Sequence, residues 1–122
     1  LKRINHGTGT EEINDLKQWF DFFHNREIKG FKIKIVKVYE SDKTYIIREY
    51  IPYQTLKEHI QLRHTYSKEH KEIVSYAEYA VFEILRQVGL LKEIGLMKGL
   101  SLHYGNVSLN ILTNTIYIFD PV

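Results

Sequence analysis

The chain has no cysteine. Disulfides and thiolate metal centres are thereby excluded, and a reducing compartment, the cytoplasm, is the expected location. No apolar run approaches the roughly 20 residues needed to cross a bilayer, and Leu1-Lys-Arg-Ile4 lacks the long apolar core of a signal peptide. No membrane partner is expected. A charge stripe is missing as well: the 17 lysines and arginines are dispersed and the net charge is +2, so nucleic acid is not an expected partner either. Internal repeats, low-complexity tracts and linkers are absent. What remains is ordinary globular composition, 43% hydrophobic and 26% charged over 122 residues. That length is one domain, 1–122, with room for a core.

The hydrophobic pattern predicts an α+β order of elements. Leu1 to Ile4 reads as the end of a strand, and Thr8 to Glu11 has the spacing of a capping box. Ile13, Leu16, Phe20 and Phe23 then form one helical stripe. After Gly30, Phe31, Ile33 and Ile35 alternate with Lys32 and Lys34, the period of a strand with one wet face. Ser41 to Thr44 reads as a hairpin turn, Tyr45 to Ile51 as the returning strand, and Pro52 as its end. Thr55 to Leu62 is a short amphipathic helix. Lys68 to Ile94 is a long one, with Ile73, Ala77, Ala80, Ile84, Val88 and Leu91 on its apolar face. Val81, Phe82 and Leu85 widen that face, which predicts burial on more than one side. Gly95 and Gly99 mark its exit, and Val107 to Leu112, a Thr113–Thr115 turn and Ile116 to Phe119 make a second hairpin ending on Asp120.

Few side-chain groupings suggest chemistry. His59, His64 and His70 do not share a helical face at metal-binding spacing, so they read as surface residues. Lys29, Lys32, Lys34 and Lys37 read as a solvated strand face. Trp19, Phe20, Phe22 and Phe23 read as core rather than a base-stacking platform. Taken singly, Gly105-Asn106 is a turn pair and Asp120-Pro121 a strand end.

Ser101-Leu-His-Tyr-Gly-Asn106 and Phe119-Asp120 resemble the D-L-H-x-G-N and D-F-G pair of the protein-kinase-like superfamily, in the style of aminoglycoside phosphotransferases, haspin-type kinases and small bacterial kinases. The resemblance implies that Asn106 and Asp120 hold Mg²⁺ against the phosphates of ATP. It implies that His103 fixes the loop by hydrogen bonds. Tyr45-Ile-Ile-Arg-Glu-Tyr-Ile-Pro52 with Thr55-Leu56 looks like the fifth strand and hinge of that family, so Glu49 and Ile51 would offer backbone groups to adenine. Lys2 would be the phosphate-binding lysine, its partner open among Glu11, Glu12 and Asp15 on the first helix. The fold implied is a reduced kinase-like one. Residues 1–51 would be N-lobe-like, with an antiparallel strand pair and one helix, and 52–122 C-lobe-like, with the hairpin that carries Asp120.

Several positions depart from the family pattern. Ser101 stands where the family has its catalytic Asp. A serine hydroxyl accepts a hydrogen bond but is too weak a base to hold the nucleophile's proton near pH 7. General-base contributions run at about 10²–10⁴-fold, so residual activity at most is expected. The strands and Gly-rich loop that cover the phosphates are expected to be missing, as is a peptide-substrate lobe. Arg48 falls at the back of the adenine position, where most kinases carry an uncharged residue, and Pro121 follows Asp120 in place of Phe. The expected function is a catalytically impaired pseudokinase that binds nucleotide–Mg²⁺ or a protein partner. An active small phosphotransferase whose other segments lie elsewhere is the alternative, and a protein-interaction module without nucleotide is the second.

Overall fold

The computed structural model describes residues 17–36, 38–41, 44–96 and 102–119. The first-strand, Thr8-cap, Ile13 and Leu16 expectations lie outside these residues. The fold is α+β. Helix α1 is described over residues 17–23 and is followed by strands β1 (Glu27–Ile28), β2 (Phe31–Ile35), β3 (Val38–Ser41) and β4 (Ile46–Arg48). Helices α2 (Leu56–Leu62) and α3 (Lys68–Glu93) come next, then strands β5 (Val107–Asn110) and β6 (Thr115–Ile118). No helix among the described residues is long and apolar enough to cross a membrane.

Local chemistry explains most boundaries. Lys29 and Gly30 both have positive φ (53° and 85°), the backbone of a two-residue turn between paired strands, where glycine fits without strain. Thr55 caps α2 through a reciprocal box: its hydroxyl accepts from the Glu58 amide, and the Glu58 carboxylate accepts from the Thr55 amide. Ser67 caps α3, its hydroxyl accepting from the His70 amide at 3.3 Å. Between β5 and β6 the Asn110 side-chain oxygen accepts from the Leu112 amide, and Asn114 takes a left-handed φ of 50°.

The sheet pairing corrects the expected topology. The strand over residues 31–35 forms, but it does not turn back onto residues 45–51. Instead β2 pairs in parallel with β6, Ile33 beside Ile116 and Ile35 beside Ile118. The four-stranded sheet runs β1-β2-β6-β5, and β3 and β4 form a separate two-stranded sheet. The reason lies in the faces. Period-two alternation gives β2 an apolar face but does not name its neighbour. The β6 pairing lays Ile33 and Ile35 in a continuous apolar floor with Ile116, Ile118, Val107 and Leu109.

Helices α1 and α3 cover that floor, and here too two expectations are corrected. In α1 the buried residues are Trp19 and Phe23, their rings 5.2 Å apart, while Phe20 turns outward and stacks on His24 at 4.0 Å. The His24 Nδ1 in turn accepts from the Ile35 amide, tying the helix end to the end of β2. In α3 the buried face is Val74, Ala77, Ala80, Val81, Ile84 and Val88. Ile73, Leu85 and Leu91 are only half-buried. Phe82 is 58% exposed in a row with Tyr76 and Tyr79, so α3 is buried on one side. Each large apolar side chain removed from water contributes about 1.5–3 kcal/mol.

Ile116 lies on the strand between β2 and β5 and is fully buried. Ile116→Ala should therefore destabilise by about 2–5 kcal/mol through the cavity it leaves. Leu112→Ala, at a turn position 93% exposed, should change stability by less than about 0.5 kcal/mol. Urea unfolding of the two variants beside the parent chain measures the difference.

Candidate functional site

Alternation on β5 and β6 sends Ser108 and Tyr117 to the face opposite the core, where they lie across from one another. The chain leaving β4 covers this face. Tyr53 stacks on Tyr117 with ring centroids 5.4 Å apart, the Leu109 amide donates to the Gln54 carbonyl at 3.1 Å, and Thr55 bridges to Ser108. At the near end of this crossing the Arg48 guanidinium lies 4.7 Å over the ring of Phe119, a cation–π contact. Arg48, Glu49, Tyr50, Ile51 and Phe119 together line a cleft of about 280 Å³. That is near the lower end of small-molecule sites, about 300–1,000 Å³.

The loop before β5 meets the same end of the sheet. His103 is extended and its Nδ1 accepts from the Gly105 amide at 3.1 Å. This is the loop-fixing hydrogen bond expected of it. A Cβ at Gly105 would come within 2.9 Å of the His103 ring, so a larger residue there would displace that ring from its bond to the Gly105 amide. The 3-10 turn Tyr104–Asn106 follows, its Asn106 amide donating to the His103 carbonyl. The Phe119 amide donates to the Asn106 carbonyl at 3.0 Å. Asn106 and the residue preceding Asp120 are thus joined main chain to main chain.

No protein-family model, curated protein or solved structure matches the chain. What the cleft can do rests on its own chemistry.

Of the residues singled out from sequence, Glu49 and Ile51 are half-buried at the cleft, beyond the β4 ladder. Asn106 is half-buried and ends the 3-10 turn. Lys2, Ser101 and Asp120 lie outside the described residues. Among the described residues, no group of three His, Asp or Glu could hold a metal ion.

Sequence reasoning missed Phe119 and Tyr50 as cleft residues. The signal for Phe119 was its place directly before Asp120. It also missed His59, which is not a surface residue: only 7% of it is exposed. Its Nδ1 lies 2.7 Å from the Tyr66 hydroxyl, and its Nε2 finds no partner of good geometry among the described residues. Burial holds its imidazole below the ordinary value, with the Leu109 main chain and the Glu58 charge pulling back against that shift and the His70 charge adding to it. His64 and His70 are exposed, as expected.

A histidine kept neutral by the fold makes stability depend on pH in one direction. The unfolded chain binds the His59 proton more readily, so stability is complete above the ordinary value of 6.5 and falls as pH drops below it, levelling off once the folded pKa is passed. The urea midpoint should therefore decrease between pH 7.5 and pH 5. His59→Gln should show a shallower decrease over the same interval. An identical slope in both proteins would mean that His59 does not titrate as its burial requires.

Proposed function

We propose that this chain is a kinase-like domain that binds a nucleotide–Mg²⁺ complex in the cleft beside Phe119 and has little or no phosphoryl-transfer activity. The observation that carries the reading is the meeting of two distant segments. Residues 48–51, which resemble a kinase hinge, and Phe119, which precedes the proposed metal-binding Asp120, line one cleft. The main-chain bond from Phe119 to Asn106 supports the same reading, because a metal pair formed by Asn106 and Asp120 needs these two loops side by side.

Each residue then has a stated part. The main-chain groups of Glu49 and Ile51 would pair with the edge of the base, and the Phe119 and Ile51 side chains would cover its faces. Asn106 and Asp120 would hold Mg²⁺, which supplies charge neutralisation at the phosphates when bound. Lys2 would add a cation there. Ser101 would sit where the attacking hydroxyl is oriented, able to accept its hydrogen bond but not to keep its proton. The first alternative, an active phosphotransferase, needs a carboxylate that the motif does not offer, since Asp120 is assigned to metal.

The second alternative, an interaction module that binds no nucleotide, is favoured by one observation. Tyr76, Tyr79 and Phe82 are exposed in a row on α3 and line a hollow of about 430 Å³ with Lys29, Glu83 and Arg86. Nucleotide binding separates the two readings.

ATP with Mg²⁺ should raise the melting temperature of the chain, with an affinity in the weak range, and chelating the metal should reverse the rise. Asp120→Ala should weaken that binding by about tenfold, a loss of about 1.4 kcal/mol. Tight binding that needs no metal and survives Asp120→Ala would contradict the site.

The chain should also transfer no phosphoryl group above background in the presence of ATP and Mg²⁺, measured by release of labelled phosphate. Robust activity abolished by Asn106→Ala would show a working enzyme instead of a binding domain.

A further inference from the structure

We infer that the exposed face of α3 docks a second copy of this chain, whose α3 lies antiparallel across it in a two-fold dimer. The inference goes beyond the nucleotide reading and does not depend on it. On the side of α3 away from the core, Tyr76, Tyr79, Phe82 and Leu90 are each about half exposed or more, and Ile94 continues the row at the helix end. A continuous exposed apolar surface of this kind marks an interaction site. Residues 76, 79, 83, 86 and 90 succeed one another at three, four, three and four, the a/d spacing of a helix that packs along another helix.

The charges in the middle of this seam identify the occupant. Glu83 and Arg86 lie between Tyr79 and Leu90. Within one chain the Glu83 carboxylate accepts from Arg86 Nε at 2.9 Å, from Arg86 Nη2, and from Gln87 Nε2 at 3.2 Å. That uses two of the arginine's five N–H donors and three of the carboxylate's roughly four acceptor positions. Each group keeps capacity for a further bond, and the Arg86 side chain is 61% exposed. A two-fold axis between residues 84 and 85 of antiparallel helices sets Glu83 opposite Arg86 of the second copy, and Arg86 opposite its Glu83. The same register sets Tyr79 opposite Leu90 of the second copy, so apolar side chains flank the charges at both ends. A parallel pair would set Glu83 against Glu83 and Arg86 against Arg86. Sliding the antiparallel pair by one heptad would set Glu83 against Tyr79 or Glu93. Of these arrangements only the first joins each charge to its opposite, and it uses the same surface on both copies, as a closed two-fold dimer must. An acidic peptide drawn to Lys29 and Arg86, which line the hollow beside this seam, is the other occupant the chemistry admits, and it would leave the chain monomeric.

The test follows the mass of the chain by sedimentation equilibrium over a wide range of concentration. The unaltered chain should pass from monomer to dimer in the micromolar range, and Tyr79→Glu should weaken dimerisation by about tenfold or more. Glu83→Arg and Arg86→Glu each set like charges against one another at both crossings, so each variant alone should be monomeric. Mixed in equal amounts, these two variants should pair one to one, because every crossing then joins unlike charges. Both changes in one chain exchange the signs and should restore the homodimer. Neither side chain belongs to the buried core, and recovery on mixing separates the proposed contact from a loss of fold. A monomer at every concentration would overturn the inference. So would dimerisation that the single variants leave unchanged, or a failure of the mixture or of the doubly exchanged chain to pair.

Discussion

The parallel pairing of β2 with β6 is the constraint on which the remaining architecture depends. It places Ile33 and Ile35 beside Ile116 and Ile118, so one apolar floor is built from two ends of the chain. Helices α1 and α3 can then cover the floor from one side, with Trp19, Phe23, Ile84 and Val88 all in the same buried cluster. Parallel pairing requires a long crossover, and here the crossover contains everything between Ile35 and Thr115. The β3–β4 pair and helices α2 and α3 therefore lie within a connection whose two ends are joined by this contact. Loss of that contact would separate the first strand pair from the hairpin it lies against.

The same pairing determines what the opposite face of the sheet can be. With Ile116 and Ile118 committed to the core, alternation sends Tyr117 and Phe119 to the other side. Two exposed rings would be a liability there, and each has a cover: Tyr53, in the chain leaving β4, stacks on Tyr117, and Arg48, at the end of β4, lies over Phe119. The cleft is the gap left where this covering segment departs from the sheet. Its position is thus a consequence of core packing, and its chemistry comes from the residues that happen to finish β4. A guanidinium resting on a ring is a compromise suited to such an edge, since the stem and the face are apolar while the N–H groups still meet polar partners.

Much of this was legible in the sequence because it is local. The helices over Leu56–Leu62 and Lys68–Glu93 and the hairpin before Asp120 follow from periodicity, caps and turn residues within a few positions of each element. The partner of β2 was not legible, because alternation fixes a strand's faces and leaves its neighbour open. Trp19 and Phe20 illustrate a second limit. Aromatic residues at 19, 20, 22 and 23 satisfy two overlapping helical stripes, and the choice between them is made by His24, which gives Phe20 a ring to stack on while its Nδ1 holds the Ile35 amide. His59 shows a third: its burial depends on Tyr66 and the Leu109 main chain, both contributed from outside its helix. Of the cleft and its surroundings, residues 48–51 and the Asn106 loop are singled out in the sequence by a resemblance. The Arg48–Phe119 contact is not, because it joins side chains far apart in sequence.

The cleft and the loop before β5 are not independent features. Phe119 supplies a ring to the cleft and, through its amide, a bond to the Asn106 carbonyl. Asn106 is in turn fixed to the His103 carbonyl, and Gly105 to the His103 ring. The cleft and the loop thus share Phe119, whose ring lines the one and whose amide bonds the other. On the proposed reading they are the base and the metal sites of one ligand. Binding energy spent at the base end would then organise the loop at the phosphate end. That coupling needs the hinge, Phe119 and Asn106, and it does not need a catalytic carboxylate. On the proposed reading, a chain with the first three and with Ser101 in place of the fourth would keep the part that responds to a ligand and lack the part that would transform it.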